Sequence, residues 1–321
     1  MRNKFTDVDR SLMARAAWLH YVGGLKQSEV AKKLGVPSVK AHRMIAKAVS
    51  DGIVKVTIDD DVIECIELAD KLATTYNLDI CEVAPDLYET DDLPLRALAS
   101  AGSDFIKRQL ELCEHKLIGI GHGRTLAAAI RYLPSLDARG AQFVSLLGGL
   151  TRNFAANPHD VMHLIAEKTS AQAYVMPVPF YANTSKDREV LLAQKGVKDV
   201  FDYAKSASLK LVGIGTVEPK TQLVQSGMIE PAEISEVSKS GGVGELLGHF
   251  YNENGELLKT NLTSRTLAVA VGDGVSGQVV ALAGGAGKIA PIKAVLKSGQ
   301  INGLITDEAT ARSLISQSEA G

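Results

Sequence analysis

QSEVAKKLGVPSVKAHRMIAKAV, residues 27–49, reads as two short helices meeting at a tight turn. Val30, Ala31 and Leu34 recur at the spacing of one helical face, and Gly35 follows them, a residue that reaches positive φ without steric cost. Pro37 and Ser38 open the next helix, on which Ala41, Met44, Ile45 and Ala48 form an apolar stripe. Counted from Gln27, a helix-turn-helix needs a small residue at its fifth position, a glycine at the turn and apolar contacts on its second helix; Ala31, Gly35, Ala41 and Met44 meet those demands. Lys40, Arg43 and Lys47, three and four residues apart, form a basic stripe suited to phosphates. Ser38, His42 and Arg43, near the start of the same helix, are placed to reach base edges in a major groove. A plain helical hairpin would also carry a solvated charged face, but it would not need this turn spacing. Gln27, Ser38, Lys40, His42, Arg43 and Lys47 are therefore the residues expected to face DNA.

Upstream, residues 9–22 show helical periodicity that stops at Gly23-Gly24; downstream, Asp51-Gly52 turns into Ile53 to Ile58, an alternating run that reads as a small wing or the start of a linker. Residues 1–57 hold eleven Lys and Arg against four Asp and Glu, a charge of +7, which leaves −9 for the rest of a chain whose total is −2. A basic end on an acidic body points to one part that meets a polyanion and another with a different task. The 321 residues suit two domains, and 45% hydrophobic with 22% charged residues is enough apolar material for a core in each. No apolar run approaches the roughly 20 residues of a membrane span, and the polar start does not read as a signal peptide, so a cytoplasmic protein with no membrane partner is expected. Cys65, Cys81 and Cys113 are too few and too scattered for a disulfide framework or a zinc site, and are expected to be buried thiols.

A helix over residues 62–76 starts the second part, 59–321 against 1–58. Apolar strands then alternate with helices at glycine-rich corners: 117–120 before Gly121-His122-Gly123-Arg124, 143–147 before Gly148-Gly149, 209–214 before Gly215, 279–283 before Gly284-Gly285, and 303–305 before Thr306-Asp307-Glu308. Such alternation predicts a Rossmann-like, mostly parallel sheet covered on both faces, binding its ligand at the carboxyl edge of the strands. The corner Gly121 to Thr125 can aim several backbone N–H groups and a helix N-terminus at one anion, with the Arg124 guanidinium and the Thr125 hydroxyl in support. Asp307 or Thr306 is expected to cap the last helix. AGGAGKI around Lys288 is not a nucleotide P-loop, because Leu282 and Ile289 stand where that motif needs a glycine and a Ser or Thr. No hydrolase or metalloprotease motif is present, and no catalytic residue, metal or cofactor is expected.

Together these residues resemble the SorC family of sugar-responsive bacterial transcriptional regulators. Met13 to Ile58 is similar to the family's DNA-binding end. GIGHGRTL from Gly119, LLGGL from Leu146, GGVGELLGHFYNENG from Gly241 and VALAGGAGKIAPIKAVLKSGQINGLITDEATA from Val280 are similar to its effector domain. The resemblance covers essentially the whole chain and implies an effector domain akin to sugar-phosphate isomerases and deaminases, in a homo-oligomer (dimer or tetramer) that binds double-stranded operator DNA. It implies a phosphorylated sugar or polyol as effector, held by Gly121, Gly123, Arg124 and Thr125, a second loop at Gly148 and Gly149, Asn157 beyond it, the acid Glu245 and the cation Lys288. Two departures stand out. Leu146-Leu147 precedes the Gly-Gly pair where bisphosphate-responsive members carry an arginine, and Ala41-His42-Arg43 replaces the commoner Val-Ser-Arg. Two other readings compete: a sugar-phosphate isomerase or deaminase with an accessory DNA-binding module, and a nucleoid-type protein without sequence preference.

Overall fold

The computed structural model describes residues 7–54, 62–150, 160–270 and 277–319. The chain divides into two compact units, residues 1–60 and 61–321.

Among the described residues the first unit holds three helices, α1 (Asp7–Tyr21), α2 (Gln27–Leu34) and α3 (Ser38–Ser50). Its core is built from Met13, Ala16, Ala17, Val30, Ala31, Ala41, Met44, Ile45 and Ala48. Four of these are alanines of α1 and α3, short enough to let helix backbones approach, which is how a few dozen residues enclose a core at all. Gly35 ends α2 at φ 64°, its amide donating back to Ala31 O, and Val36 N repeats that bond at 3.0 Å. The left-handed turn swings the chain into α3 within three residues. Ile53 and Val54 pack on this core without strand structure, and the rest of the expected wing, residues 55–58, lies outside the described residues.

The second unit opens with α4 (Ile63–Tyr76) and is built on a sheet. Its strands are β1 (Ile80–Ala84), β2 (Leu117–Ile120), β3 (Gln142–Leu150), β4 (Ala173–Pro179), β5 (Leu209–Val212), the short β6 (Gly215–Thr216), β7 (Gly242–Leu246), β8 (His249–Asn252), β9 (Gln278–Leu282) and β10 (Gly303–Asp307). Seven of them form one all-parallel sheet in the order β1-β10-β9-β5-β2-β3-β4, while β6, β7 and β8 make a small antiparallel sheet. Strand residues alternate between two cores, one on each face: Leu211, Val280 and Leu282 enter one, Val212, Val279 and Ala281 the other. The expected parallel sheet with both faces covered is what the chain forms.

Two expectations need correction. Cys113 is exposed, because it ends the helix α5 (Leu95–Leu112) at a left-handed C-cap; Cys65 is buried and Cys81 half-buried. Gly148 and Gly149 are not a corner after β3 but part of the strand, which runs on to Leu150. There the β3–β4 pairing is irregular and the chains press together: a Cβ added at Gly148 would lie 2.2 Å from the Pro179 carbonyl oxygen. Gly148→Ala is accordingly expected to destabilise the second unit by about 1–3 kcal/mol, as overpacking does, lowering the midpoint of chemical denaturation without changing its slope.

Candidate functional site

Because all seven strands run parallel, their carboxyl ends share one edge. From β2 the chain moves outward to β3 and β4; from β5 it moves the other way, to β9 and β10. Connections that leave neighbouring strands in opposite directions open a crevice between them, the place where such sheets bind ligands. Here the crevice between β2 and β5 is a cavity of about 500 Å³. His122, Gly123 and Arg124 line it from the end of β2, Gly213 to Thr216 from β5, Gly284 to Lys288 from β9, and Glu245 from β7.

The helix α6 (Arg124–Tyr132) begins at this cavity, with Gly123 at its N-cap, no side chain bonded to its first turn and no acid within that turn. The amides of a first helical turn have no intrahelical partner, and the helix dipole adds partial positive charge there. Other helices at the same edge carry their own carboxylates. Glu89 accepts from the amides of Arg96 and Ala97 at the start of α5, and Asp307 accepts from Thr310 N at 3.0 Å at the start of the last helix, Glu308–Glu319. Asp307 is thus the expected cap. Arg124 is exposed at the mouth of the cavity.

Two members of the expected anion cradle are already engaged. The Thr125 hydroxyl donates to Leu282 O at 2.9 Å, tying α6 to β9, so its proton is not offered to a ligand. The Gly121 amide donates to Leu211 O at 2.8 Å and closes the floor between β2 and β5 rather than lining the cavity. Gly148 and Gly149 do not line it either; the Gly148 amide donates to Leu267 O at 2.9 Å, and Leu147 is the residue of this stretch that reaches the cavity. Asn157 lies outside the described residues.

Glu245 and Lys288 face the cavity with opposite charge. Glu245 is 7% exposed and accepts the Gly248 amide at 2.5 Å. Burial pushes its carboxyl up to about 7, against the pull of that amide and of Lys288. Its negative charge also helps raise the hydroxyls of Tyr181 and Tyr251, each lifted mainly by burial and the latter to about 12. Lys288 donates to Ile214 O at 2.7 Å, a tie from the β9 corner to the β5 corner. Its ammonium is pushed down to about 8 by burial and by Arg124, with Glu245 acting against both. Sequence reasoning missed Asp91, Asp92, Glu218 and Lys220, which also line the cavity; they sit in connections without a motif or periodic signal. The lining therefore carries cations at Arg124, Lys220 and Lys288 and carboxylates at Asp91, Asp92, Glu218 and Glu245, an arrangement that can hold an anionic group and hydroxyl groups of one small molecule.

In the first unit, Ser38, Lys40, His42 and Arg43 are exposed along one stretch of α3, and Gln27, the first residue of α2, touches His42. Lys47 is paired with Asp51 at 3.1 Å, which engages a cation expected to meet phosphate. Among the described residues, no helix is long and apolar enough to cross a membrane and no group of His, Cys, Asp and Glu is placed to hold a metal ion.

Residues 60–316 match the family model described as "Putative sugar-binding domain". The chain is 63% identical over 311 residues to the erythritol catabolism regulatory protein EryD of Brucella abortus, covering 97% of this chain and 98% of that one. It is 27% identical over 319 residues to the transcriptional regulator LsrR of Escherichia coli K12, covering 94% of each. Its fold matches the crystal structure of the full-length sorbitol operon regulator SorC of Klebsiella pneumoniae with a TM-score of 0.67 at 24% identity, covering 97% of this chain and all of that one. These full-length matches are to regulators, which decides against the isomerase or deaminase reading.

The Glu245 environment predicts a pH effect. A carboxyl lifted from 4.5 to about 7 in the folded state holds more protons than its unfolded counterpart across that interval, so stability falls as pH rises through it and stays reduced above. Glu245→Gln keeps an acceptor for Gly248 N but cannot ionise. Denaturation from pH 4.5 to 8 is expected to show the variant gaining on the native chain by about 2–4 kcal/mol; parallel profiles would refute the assignment.

Proposed function

We propose a function from one premise: the chain belongs to the SorC family of sugar-binding transcriptional regulators. It regulates an operon for carbohydrate or polyol catabolism, and the 63% identity to an erythritol catabolism regulator favours erythritol or a closely related short polyol as the nutrient. On this reading the first unit binds double-stranded operator DNA within a cytoplasmic homo-oligomer, a dimer or tetramer, on half-sites about 34 Å or a multiple of it apart. The second unit binds the phosphate ester of a small sugar or polyol. The observation that carries the effector reading is the bare N-terminus of α6 opening on the cavity beside Arg124, with Glu245 also in the wall. The amides of Gly123 to Thr125 and the guanidinium take the phosphate; Glu245 and neighbouring acids take the hydroxyls.

The wiring behind the cavity supports a route out of it. Gly285 N donates to Asp307 Oδ2 and Thr310 Oγ1 at 3.1 and 2.8 Å, and Asp86 N donates to Glu308 Oε2 at 3.2 Å. All three bonds end at the start of the last helix, which packs on α4, the element that begins the second unit. A ligand that moves the Gly285 corner thus moves the helix pair leading to the DNA-binding unit. It changes operator affinity only by the difference in its affinities for the two arrangements.

Fluorescence anisotropy with operator DNA at fixed salt tests this. Erythritol phosphate is expected to change operator affinity about 5- to 150-fold. Arg124→Ala should lose most of that response while keeping operator affinity without ligand. A response to free erythritol alone, unaltered by Arg124→Ala, would overturn the phosphate assignment. Lys40→Ala is expected to weaken operator binding to all sequences and to flatten its log–log salt slope by about 1.

A further inference from the structure

The first residue of α2 and the fifth of α3 are joined side chain to side chain: His42 Nδ1 lies 2.9 Å from Gln27 Oε1. A glutamine Oε1 only accepts, so Nδ1 donates in this pair, and in the tautomer with its one proton on Nδ1 the far nitrogen, Nε2, is left as an acceptor. The backbone under both residues is fixed by packing. Val30 and Ala31 follow Gln27 into the core, and Ala41 and Met44 bracket His42 and Arg43, so those two side chains point away from it. An isolated surface glutamine or histidine would spread over several rotamers; the bond across the turn restricts both. It also leaves the Gln27 amide N–H groups unused by His42, since the contact is through Oε1.

We propose that Gln27 and His42 form one base-reading unit, in which His42 Nε2 accepts a hydrogen bond from an exocyclic amine, adenine N6 or cytosine N4, in the major groove. Gln27 is its positioning residue, holding the ring in one tautomer and orientation while giving its own amide hydrogen to a neighbouring phosphate. A lone pair at Nε2 meets a donor on adenine or cytosine, and another lone pair on the O4 of thymine or the O6 of guanine, so at one position of each half-site it distinguishes a base pair from its reversal, according to which strand carries the amine. The inference rests on the operator-binding reading and adds what is read and by which pair. It also gives a physical role to the histidine by which this helix departs from the Val-Ser-Arg of its resemblance family.

The test uses the full-length protein and binding-site selection from a randomised half-site, followed by Kd measurement at fixed salt for the native chain, Gln27→Ala, His42→Ala, their double variant and Gln27→Glu. The native chain is expected to prefer one orientation of a base pair at one position, A·T over T·A or C·G over G·C, by about 5- to 10-fold, the scale of one good hydrogen bond. His42→Ala and Gln27→Ala should both relax that same position, and the double variant should lose no more than the worse single one. Gln27→Glu puts a carboxylate on Nδ1–H, which favours a doubly protonated ring whose Nε2 can only donate, so it should bind more weakly to all sequences and lose that base preference. Relaxation at Arg43→Ala should fall at a different position. The proposal is overturned if Gln27→Ala leaves the preference intact, if the two losses multiply, or if that position does not distinguish a base pair from its reversal. A native chain that binds no DNA sequence preferentially would instead defeat the operator reading on which the pair depends.

Discussion

The N–H groups of the first turn of α6 need partners, and the fold leaves them to whatever enters the cavity. That constraint accounts for much around it. Gly123 is the N-cap in place of a Ser, Thr or Asp, the first turn has no acid, and Arg124 adds to the positive end instead of offsetting it. Glu89 and Asp307 show that the chain can supply a carboxylate to a helix start at the same sheet edge, so the bare start of α6 is a property of this position. The alternative of filling it internally would remove the electrostatic reason for a ligand to bind there.

Glu245 and Lys288 extend the same logic. Each is buried enough that desolvation moves it toward its neutral form, and the opposite charge of the other acts against that shift. A polar cavity whose acid and base both titrate near neutrality can donate or accept at either group as hydroxyls require, without a fixed buried charge left unpaired. The segregation of charge along the chain serves the same division of labour: residues 1–57, within the unit proposed for DNA, carry +7, and the rest of the chain, at −9, lacks a field that would draw in nucleic acid.

The helix-turn-helix was legible almost to the residue, because a turn that needs Gly35 and a core that needs Ala31 leave few options. The strands at 117–120, 209–212, 278–282 and 303–307 were visible as apolar runs between glycine corners. β3 was visible as well, at 143–147, although it runs on to Leu150; the two edge strands were not. β4 contains two prolines and sits at the edge, where missing N–H groups are tolerated, and β1, at the other edge, is largely half-buried and mixed in composition. Gly148 looked like a corner glycine because sequence does not reveal that β4 passes 2.2 Å from where its Cβ would be. Of the expected effector residues, Gly123, Arg124, Thr125, Glu245 and Lys288 do meet at one cavity, yet the Thr125 hydroxyl is consumed by Leu282 O, a contact 157 residues away in sequence. The acids at 91, 92 and 218 join the wall only through the order of the strands, which composition does not encode.

The proposed route from cavity to α4 is plausible in energy as well as in geometry. The Gly285 amide shared between Asp307 and Thr310 is buried, and leaving such a group unsatisfied costs about 1–3 kcal/mol. Coupling between two ligand sites typically amounts to about 1–3 kcal/mol as well. Rearranging one bond of this junction therefore supplies an effect of the required size, and the cores on both faces of the sheet can stay packed while the helix start moves. A larger rearrangement would spend binding energy that a molecule fitting about 500 Å³ has only a few polar groups to provide.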